Sequence, residues 1–129
     1  MTIVVGYTPT SAGRAALTTA ITEARKSDRS LVVVNTSRGD TLDDPAFAKP
    51  ADLDWVRATL EEAGVTFTIR QEVRAGDGRR AHRRIGGGLA ELCVIGIRRR
   101  PAVGKMVLGS NAHRILMDSP CPVLTVRAA

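Results

Sequence analysis

The residues best suited to chemistry lie in one stretch from Gly96 to Leu116, which reads GIRRRPAVGKMVLGSNAHRIL. The stretch combines three consecutive arginines and three glycines with a serine, Ser110, at the start of a helical pattern. A helix N-terminus attracts anions through its free N–H groups and its dipole, and glycine lets a backbone approach a ligand closely. The stretch therefore indicates a site for phosphate groups, and a polyphosphate is the expected ligand.

Other chemistries lack the residues that they need. Gly104 and Lys105 superficially resemble a P-loop, but Met106 stands where a P-loop requires Ser or Thr. His82 and His113 have no Cys, Asp or Glu partner at a metal-ligand spacing. The sequence therefore predicts no catalytic residues and no metal site, and any hydrolysis of a bound polyphosphate would be slow.

The size and charge of the chain limit its architecture and its partners. A chain of 129 residues with 43% hydrophobic residues suits a single domain, which we expect to span residues 1–129. Nineteen Lys and Arg residues against thirteen Asp and Glu residues give a formal charge of +6, which favours anionic partners. Aromatic residues make up only 3% of the chain, which disfavours a protein that stacks successive bases.

The cysteines and the N-terminus indicate the compartment. Cys93 and Cys121 have neither CxxC spacing nor the density of a disulfide scaffold, so we expect both to be reduced and largely buried. The N-terminal residues MTIVVGYTPTS lack the features of a signal peptide, and no window is apolar enough to span a bilayer. The sequence predicts a cytoplasmic protein without a membrane segment.

Apolar runs alternate along the chain with helical patterns. Strands are predicted at 3–5, 31–34, 65–70, 92–97 and 123–126. Helices are predicted at 12–24 with Ser11 as the N-cap, at 53–63 with Gly64 as the stop, and at 110–117. The polar residues 35–52 are predicted to form a long loop, and the basic segment 76–88 to hold a short further helix.

Strands that alternate with helices predict an α/β fold with a five-stranded parallel sheet between two helical layers. The continuous apolar runs suit central strands, whereas the alternating run at 65–70 suits an edge. The predicted strand order is 3-2-1-4-5, so the winding reverses between the first and fourth strands. Ligands of such sheets bind at this reversal, outside the carboxyl ends of the strands. Here those ends are residues 6–9 and 96–99.

At these residues the chain resembles the universal stress protein family. The family carries a loop motif of three glycines: two residues separate the first glycine from the second, nine separate the second from the third, and Ser, Thr or Asn follows the third. Gly96, Gly109 and Ser110 match the first glycine, the third glycine and the residue after it. The segments IVVGYTPTSAGRAAL and SPCPVLTVR are also similar to the family's ends. The resemblance implies a Rossmann-like fold of the adenine nucleotide alpha hydrolase type and a homodimer joined through the last strand. It also implies that ATP, with or without Mg²⁺, is bound for regulation in stress responses.

The resemblance also implies which residues surround the nucleotide. Gly6, Thr8 and Thr36 would lie near the adenine, Ile95 and Gly96 on its other side, and Arg98, Arg99, Gly109, Ser110 and Asn111 around the ribose and phosphates. Two positions depart from the family pattern: Arg99 replaces the second loop glycine, and Thr8 replaces an acidic residue that contacts the nucleoside.

Three classes of function remain open. The first is a regulatory protein that binds adenine nucleotide. The second is a family member that has lost the nucleotide and acts through protein partners, which the departures at Thr8 and Arg99 would explain. The third, ranked last, is nucleic-acid binding through the arginine clusters 79–84 and 98–100, because neither a recognition helix nor an aromatic platform accompanies them.

Overall fold

The computed structural model describes residues 2–37, 48–73, 90–100, 105–107, 113 and 116–128. Within these ranges it contains two long helices and six strands. In chain order they are β1 (Thr2–Gly6), α1 (Ser11–Ser27), β2 (Ser30–Ser37), α2 (Pro50–Ala63), β3 (Phe67–Val73), β4 (Ala90–Arg100), β5 (Lys105–Val107) and β6 (Val123–Arg127).

Five strands form a parallel sheet in the predicted order. β3 pairs with β2, β2 with β1, β1 with β4, and β4 with β6, all in parallel. Because β6 is the fifth parallel strand, the predicted order 3-2-1-4-5 is confirmed, and the winding reverses between β1 and β4 as expected. The α/β class is confirmed as well.

The core lies between the sheet and the two helices. Alternate residues of the central strands, such as Ile3, Val5 and Val33, pack with Leu17 of α1 and Leu60 of α2 in one cluster. Both helices therefore cover the same face of the sheet. Val4 and Cys93, which alternate with those residues, are also buried. The central strands are thus buried on both faces, as continuous apolar runs predict.

The edge strand also follows the sequence pattern. Phe67 and Ile69 of β3 are partly buried. Thr68 and Arg70 of the same strand are exposed, as is Thr66, which directly precedes it. One face of this strand packs on the core and the other faces solvent. The alternation therefore identified the edge correctly.

Local signals determine where the helices begin and end. Thr10, rather than the predicted Ser11, is the N-cap of α1: its Oγ1 accepts a hydrogen bond from the N–H of Gly13 at 3.2 Å. α2 begins with Pro50 at its first position, and the Asp52 carboxylate accepts the N–H of Lys49 at 2.9 Å. Gly64 ends α2 in the left-handed conformation at φ 73°, as predicted.

The largest correction concerns residues 98–100. The sequence indicated that the strand ends at 97 and that the arginines belong to a glycine-hinged loop. In the structure β4 continues to Arg100, and its last three residues pair with β5 in an antiparallel ladder. Pairing with a second strand, which an arginine run does not signal, supplies the backbone hydrogen bonds that extend the strand.

Several predicted features lie outside the described residues, in whole or in part. The short helix within 76–88 lies wholly outside them. Of the predicted loop, residues 35–37 instead belong to β2 and residues 50–52 to α2. Of the helix predicted at 110–117, residues 113, 116 and 117 are helical, and the others lie outside. Within the described part of the chain, neither long helix has the length and apolar character needed to cross a membrane.

Candidate functional site

The candidate site is the crevice at the carboxyl ends of β1 and β4. Val5 pairs with Val94, and one residue further along the two strands are Gly6 and Ile95. On the other side of β1, Gly6 pairs with Val34 of β2, whose next residues lead to Thr36. Four predicted contact positions therefore lie close together at the carboxyl ends of these strands: Gly6, Thr36, Ile95 and Gly96.

Thr8 lies in the turn between β1 and α1, where it shapes the start of the helix. Its hydroxyl is 2.8 Å from the Thr10 hydroxyl, and its carbonyl oxygen accepts the N–H of Thr10 at 2.8 Å. Gly13 packs so tightly against Thr8 that a Cβ atom there would overlap the Thr8 backbone. The threonine that replaces the family's acidic residue thus takes part in the capping network of α1.

The close approach of a helix requires a glycine at position 96. A Cβ atom at Gly96 would lie well under 3.0 Å from the carbonyl oxygen of Ala12, in the first turn of α1. The sequence suggested that this glycine lets the chain approach a ligand. The structure shows that it lets α1 approach β4, which brings the N-terminus of the helix to the crevice.

A buried amide network that the sequence did not reveal braces this edge of the sheet. The Asn35 side chain is 0% exposed; its Nδ2 donates to the Tyr7 carbonyl at 2.9 Å, and its Oδ1 accepts the Ala48 N–H at 2.8 Å. Gln71 Nε2 donates to Asn35 Oδ1 at 3.1 Å and to the Ala48 carbonyl at 2.7 Å. The network joins the end of β1, β2, β3 and the segment that precedes α2. The only sequence signal is an Asn that directly follows a buried apolar run.

An aromatic stack connects the residue that follows β1 with α2. The Tyr7 ring stacks on Trp55 with centroids 6.4 Å apart, and the Arg14 guanidinium lies 5.7 Å from the Trp55 centroid. Burial and the Asp52 carboxylate raise the pKa of Tyr7, and Arg14 opposes this shift. Trp55 is 42% exposed, so it is less buried than an ordinary packing residue would be. The stack and the Arg14 contact join the residue after β1 and the first turn of α1 to the second turn of α2.

The phosphate side of the predicted site is described only in part. Arg98 and Arg99 pair through their backbones with Val107 and Met106 of β5. The predicted contacts at Gly109, Ser110 and Asn111 lie outside the described residues. No cluster of three or more potential metal ligands occurs in the part of the chain that the structure describes.

The two cysteines are free thiols, as the sequence predicted. Cys93 is buried in β4, and its burial, together with the nearby Cys121, raises its pKa to about 12. Cys121 is partly exposed, although the sequence predicted that both thiols would be largely buried. The high pKa keeps Cys93 protonated and unreactive at neutral pH.

A cleft of about 460 Å³ lies at the opposite end of the strands, where β2 and β3 begin. It is lined by the last residues of α1 and the residues that follow α2, including Arg29 and Gly64. Arg29 Nε forms an ion pair with Glu91 Oε2 at 2.8 Å nearby. This cleft is far from the strand reversal, and ligands of open α/β sheets bind at the carboxyl edge. The candidate site is therefore the crevice at the carboxyl ends of β1 and β4.

Comparison with known proteins agrees with the fold. Residues 1–127 match the model of the universal stress protein family. A universal stress protein of Mycolicibacterium smegmatis is 43% identical over 125 residues, which cover 97% of this chain and 96% of the relative.

Solved structures show the same architecture. A universal stress protein from Archaeoglobus fulgidus superposes with a TM-score of 0.78 at 25% identity, covering 98% of both chains. The A. fulgidus universal stress protein in complex with dAMP has a TM-score of 0.70 at 21% identity, covering 98% of this chain and 97% of the other. A universal stress protein in complex with cAMP has a TM-score of 0.66 at 21% identity, covering 100% and 98%. With the match of the family model over nearly the whole chain, these findings confirm the resemblance: the chain belongs to the universal stress protein family.

Proposed function

We propose that this protein binds an adenine nucleotide, ATP, in the crevice between β1 and β4 and acts as a regulator rather than an enzyme. The observation that carries the proposal is the strand reversal at β1 and β4, because it opens the sheet edge where such folds bind ligands. Two structurally similar family members were solved in complex with dAMP and with cAMP. These complexes support the choice of an adenine nucleotide.

The residues at the crevice fit the base. Gly6 has no side chain to fill the space at the end of β1, and the Thr8 hydroxyl offers both a donor and an acceptor. The Asn35 network holds the ends of β1 and β2 in place, which reduces the ordering cost of binding. The adenine would lie near Gly6, Thr8 and Thr36, with the backbone of Ile95 and Gly96 on its other side.

The phosphates would lie towards the basic end of β4. Arg98, Arg99, Gly109, Ser110 and Asn111 would surround the ribose and phosphates, and Mg²⁺ would accompany ATP as its counterion. Charged donors such as arginine form strong hydrogen bonds with phosphate. In this role the bound nucleotide shifts conformation or association, in the cytoplasm, in response to stress.

We also propose that two copies associate through β6. Among the strands that the structure describes, this one pairs with β4 on one side and with none on the other, and Leu124 is exposed at 36%. An exposed apolar edge strand is a surface that pairs readily with another strand. A second copy of the same strand would satisfy the outer backbone groups.

A second candidate function has its own structural support. The Thr8 hydroxyl is already bonded to Thr10, and Arg99 belongs to a β-ladder rather than to an open loop. Both features would suit a member that acts through protein partners without nucleotide. Mass spectrometry of small molecules released from the purified, denatured protein separates the two candidates. We expect to detect a released adenine nucleotide, and its absence would favour the partner-binding function.

A further inference from the structure

The first turn of α1 touches both walls of the candidate crevice. On the β1 side, a Cβ atom at Gly13 would overlap the backbone of Thr8. On the β4 side, a Cβ atom at Gly96 would overlap the carbonyl group of Ala12. Backbone meets backbone in both contacts, and close-packed interiors transmit a displacement rather than absorb it. A shift of either wall towards the helix would therefore move this turn.

The two wall residues, Thr8 and Gly96, are also proposed nucleotide contacts. The pairing of β1 with β4 ends at Val5 and Val94, and the two wall residues follow beyond that pair. A ligand that enters between the strand ends would press the walls against the turn of α1 that touches them. Binding in the crevice would thus act directly on the start of α1.

Arg14 belongs to the same turn and connects it to α2. Its N–H donates to the carbonyl of the N-cap Thr10 at 2.9 Å, so its backbone moves with the turn. Its guanidinium lies 5.7 Å from the centroid of the Trp55 ring and also forms a hydrogen bond with the Tyr7 side chain. A cation over an exposed ring is held only weakly. A small displacement of the turn is therefore enough to separate Arg14 from Trp55.

The second described contact of the Trp55 ring is anchored to the sheet. The Tyr7 ring stacks on Trp55 with centroids 6.4 Å apart. The Tyr7 N–H donates to the Val34 carbonyl at 2.8 Å, and the Tyr7 carbonyl accepts from Asn35 Nδ2 at 2.9 Å. Both partners belong to β2, which does not flank the strand reversal. Tyr7 would therefore stay in place while Arg14 moves.

We propose that an occupant of the crevice pushes the first turn of α1 away from the sheet, which withdraws Arg14 from Trp55 and uncovers the indole ring. The inference rests on the proposed nucleotide site and adds to it the way in which binding changes the protein surface. Trp55 is 42% exposed while Arg14 lies over it. The bound form would therefore present more of this ring to solvent than the free form does.

The test uses the fluorescence of Trp55. It is the only tryptophan in the sequence, so quenching by acrylamide measures the accessibility of this one ring. The proteins are the ligand-free wild type, Arg14→Gln, Gly96→Ala and the control Gly64→Ala, which adds the same methyl group where there is open space. Each is measured with and without ATP and Mg²⁺, and calorimetry on the same samples records whether ATP binds. Circular dichroism verifies that each variant is folded.

The expected pattern separates a movement of α1 from a direct contact with the ligand. ATP should raise the Stern–Volmer constant of the wild type and of Gly64→Ala by about 1.5-fold, because the guanidinium no longer covers the ring. Arg14→Gln should start at the raised value without ATP and show no further rise. Gly96→Ala should also be raised without ATP, because the added methyl group displaces Ala12 as a ligand would.

Three results would overturn the inference. They are an unchanged or reduced constant in the wild type with ATP bound, a rise with ATP in Arg14→Gln equal to that of the wild type, and an unchanged constant in folded Gly96→Ala. If Gly96→Ala does not fold, the comparison of the wild type with Arg14→Gln decides.

The same samples separate this inference from the proposed nucleotide site. Heat of ATP binding without any change at Trp55 would contradict the movement of α1 and leave the nucleotide site standing. No heat of binding, together with a raised constant in Gly96→Ala, would contradict the nucleotide site and support the coupling of the β4 wall to Trp55. No heat of binding and an unchanged constant in folded Gly96→Ala would contradict both.

Discussion

Gly96 of β4 lies directly against the carbonyl oxygen of Ala12 in α1, with no room for a Cβ atom between them. This contact fixes how closely the first turn of α1 approaches the strand that forms one wall of the crevice. The obstacle is backbone rather than a flexible side chain, so the helix itself would have to move to admit a side chain. The geometry of the site therefore depends on this glycine.

We predict that Gly96→Ala lowers the free energy of unfolding by about 2 kcal/mol or more, because overpacking forces the backbone to shift. Gly64→Ala is the control: Gly64 has a φ of 73° with open space around it, so the cost there is conformational, about 1 kcal/mol. Urea unfolding of both variants measures the difference. Equal costs at the two glycines would show that α1 does not need the space at Gly96.

The Asn35 network gives a second prediction. Asn35→Leu would leave the Tyr7 carbonyl and the Ala48 N–H without the partners they have now, at a cost of about 3 kcal/mol. Gln71 is exposed, so Gln71→Leu should lower the free energy of unfolding by only about 1 kcal/mol. If thermal unfolding shows that Asn35→Leu costs no more than Gln71→Leu, the network does not brace the sheet edge.

The buried thiol of Cys93 predicts a loss of stability at alkaline pH. Its pKa in the folded protein is about 12, above its ordinary value of 9.0, so the fold favours the protonated thiol. This contribution is complete below pH 9 and is lost as the pH rises towards 12, by about 4 kcal/mol in all. Urea unfolding at pH 8, 9.5 and 10.5 measures the decline.

Cys93→Val should make the decline shallower without removing it. The pKa of Tyr7 is also raised, so its ionisation destabilises the fold in the same direction above pH 10. Cys121→Ser, at a partly exposed thiol, is the matched control and should leave the profile nearly unchanged. A profile for Cys93→Val as steep as that of the wild type would contradict the assignment.

The hydrogen bonds between β4 and β6 show which residues of β6 a test of the proposed dimer should change. The Pro122 carbonyl accepts the N–H of Cys93, and the Ala128 N–H donates to Ile97, so even-numbered residues of β6 bond to β4. The N–H of Thr125 therefore points away from β4. Thr125→Pro should weaken dimerisation by removing an outward donor, with little effect on the monomer.

Leu124→Pro is the matched comparison, because its N–H points towards β4. We expect it to destabilise the fold itself, and through the distorted strand to weaken the dimer as well. Size-exclusion chromatography with light scattering at micromolar concentration gives the mass of each protein. A monomeric wild type would refute the proposed association through β6.

The parallel sheet could be predicted from the sequence because the faces of a strand that are buried determine which of its residues are apolar. The continuous run at 31–34 and the alternating run at 65–70 distinguish a central strand from an edge, and the structure agrees. The strand order followed from these patterns and from the handedness of the crossovers. The predicted N-cap of α1 was wrong by one residue, because Thr and Ser are both good N-caps and Thr10 and Ser11 are adjacent.

The features that escaped the sequence all depend on tertiary partners. The arginines at 98–100 look like a solvated loop, and only the pairing with β5 makes them a strand. Asn35 belongs to a residue type common in loops, and its burial is explained by hydrogen bonds to Tyr7, Ala48 and Gln71, which the sequence does not signal. The nucleotide contacts came from resemblance to the family, and they stay predictions.

The most direct test of the account is calorimetry of ATP binding to folded wild-type protein that has been stripped of any bound ligand. With magnesium and ATP at up to millimolar concentration, we predict saturable binding of one ATP per chain with moderate affinity. The absence of any heat of binding from the folded, stripped protein would contradict the proposed nucleotide site.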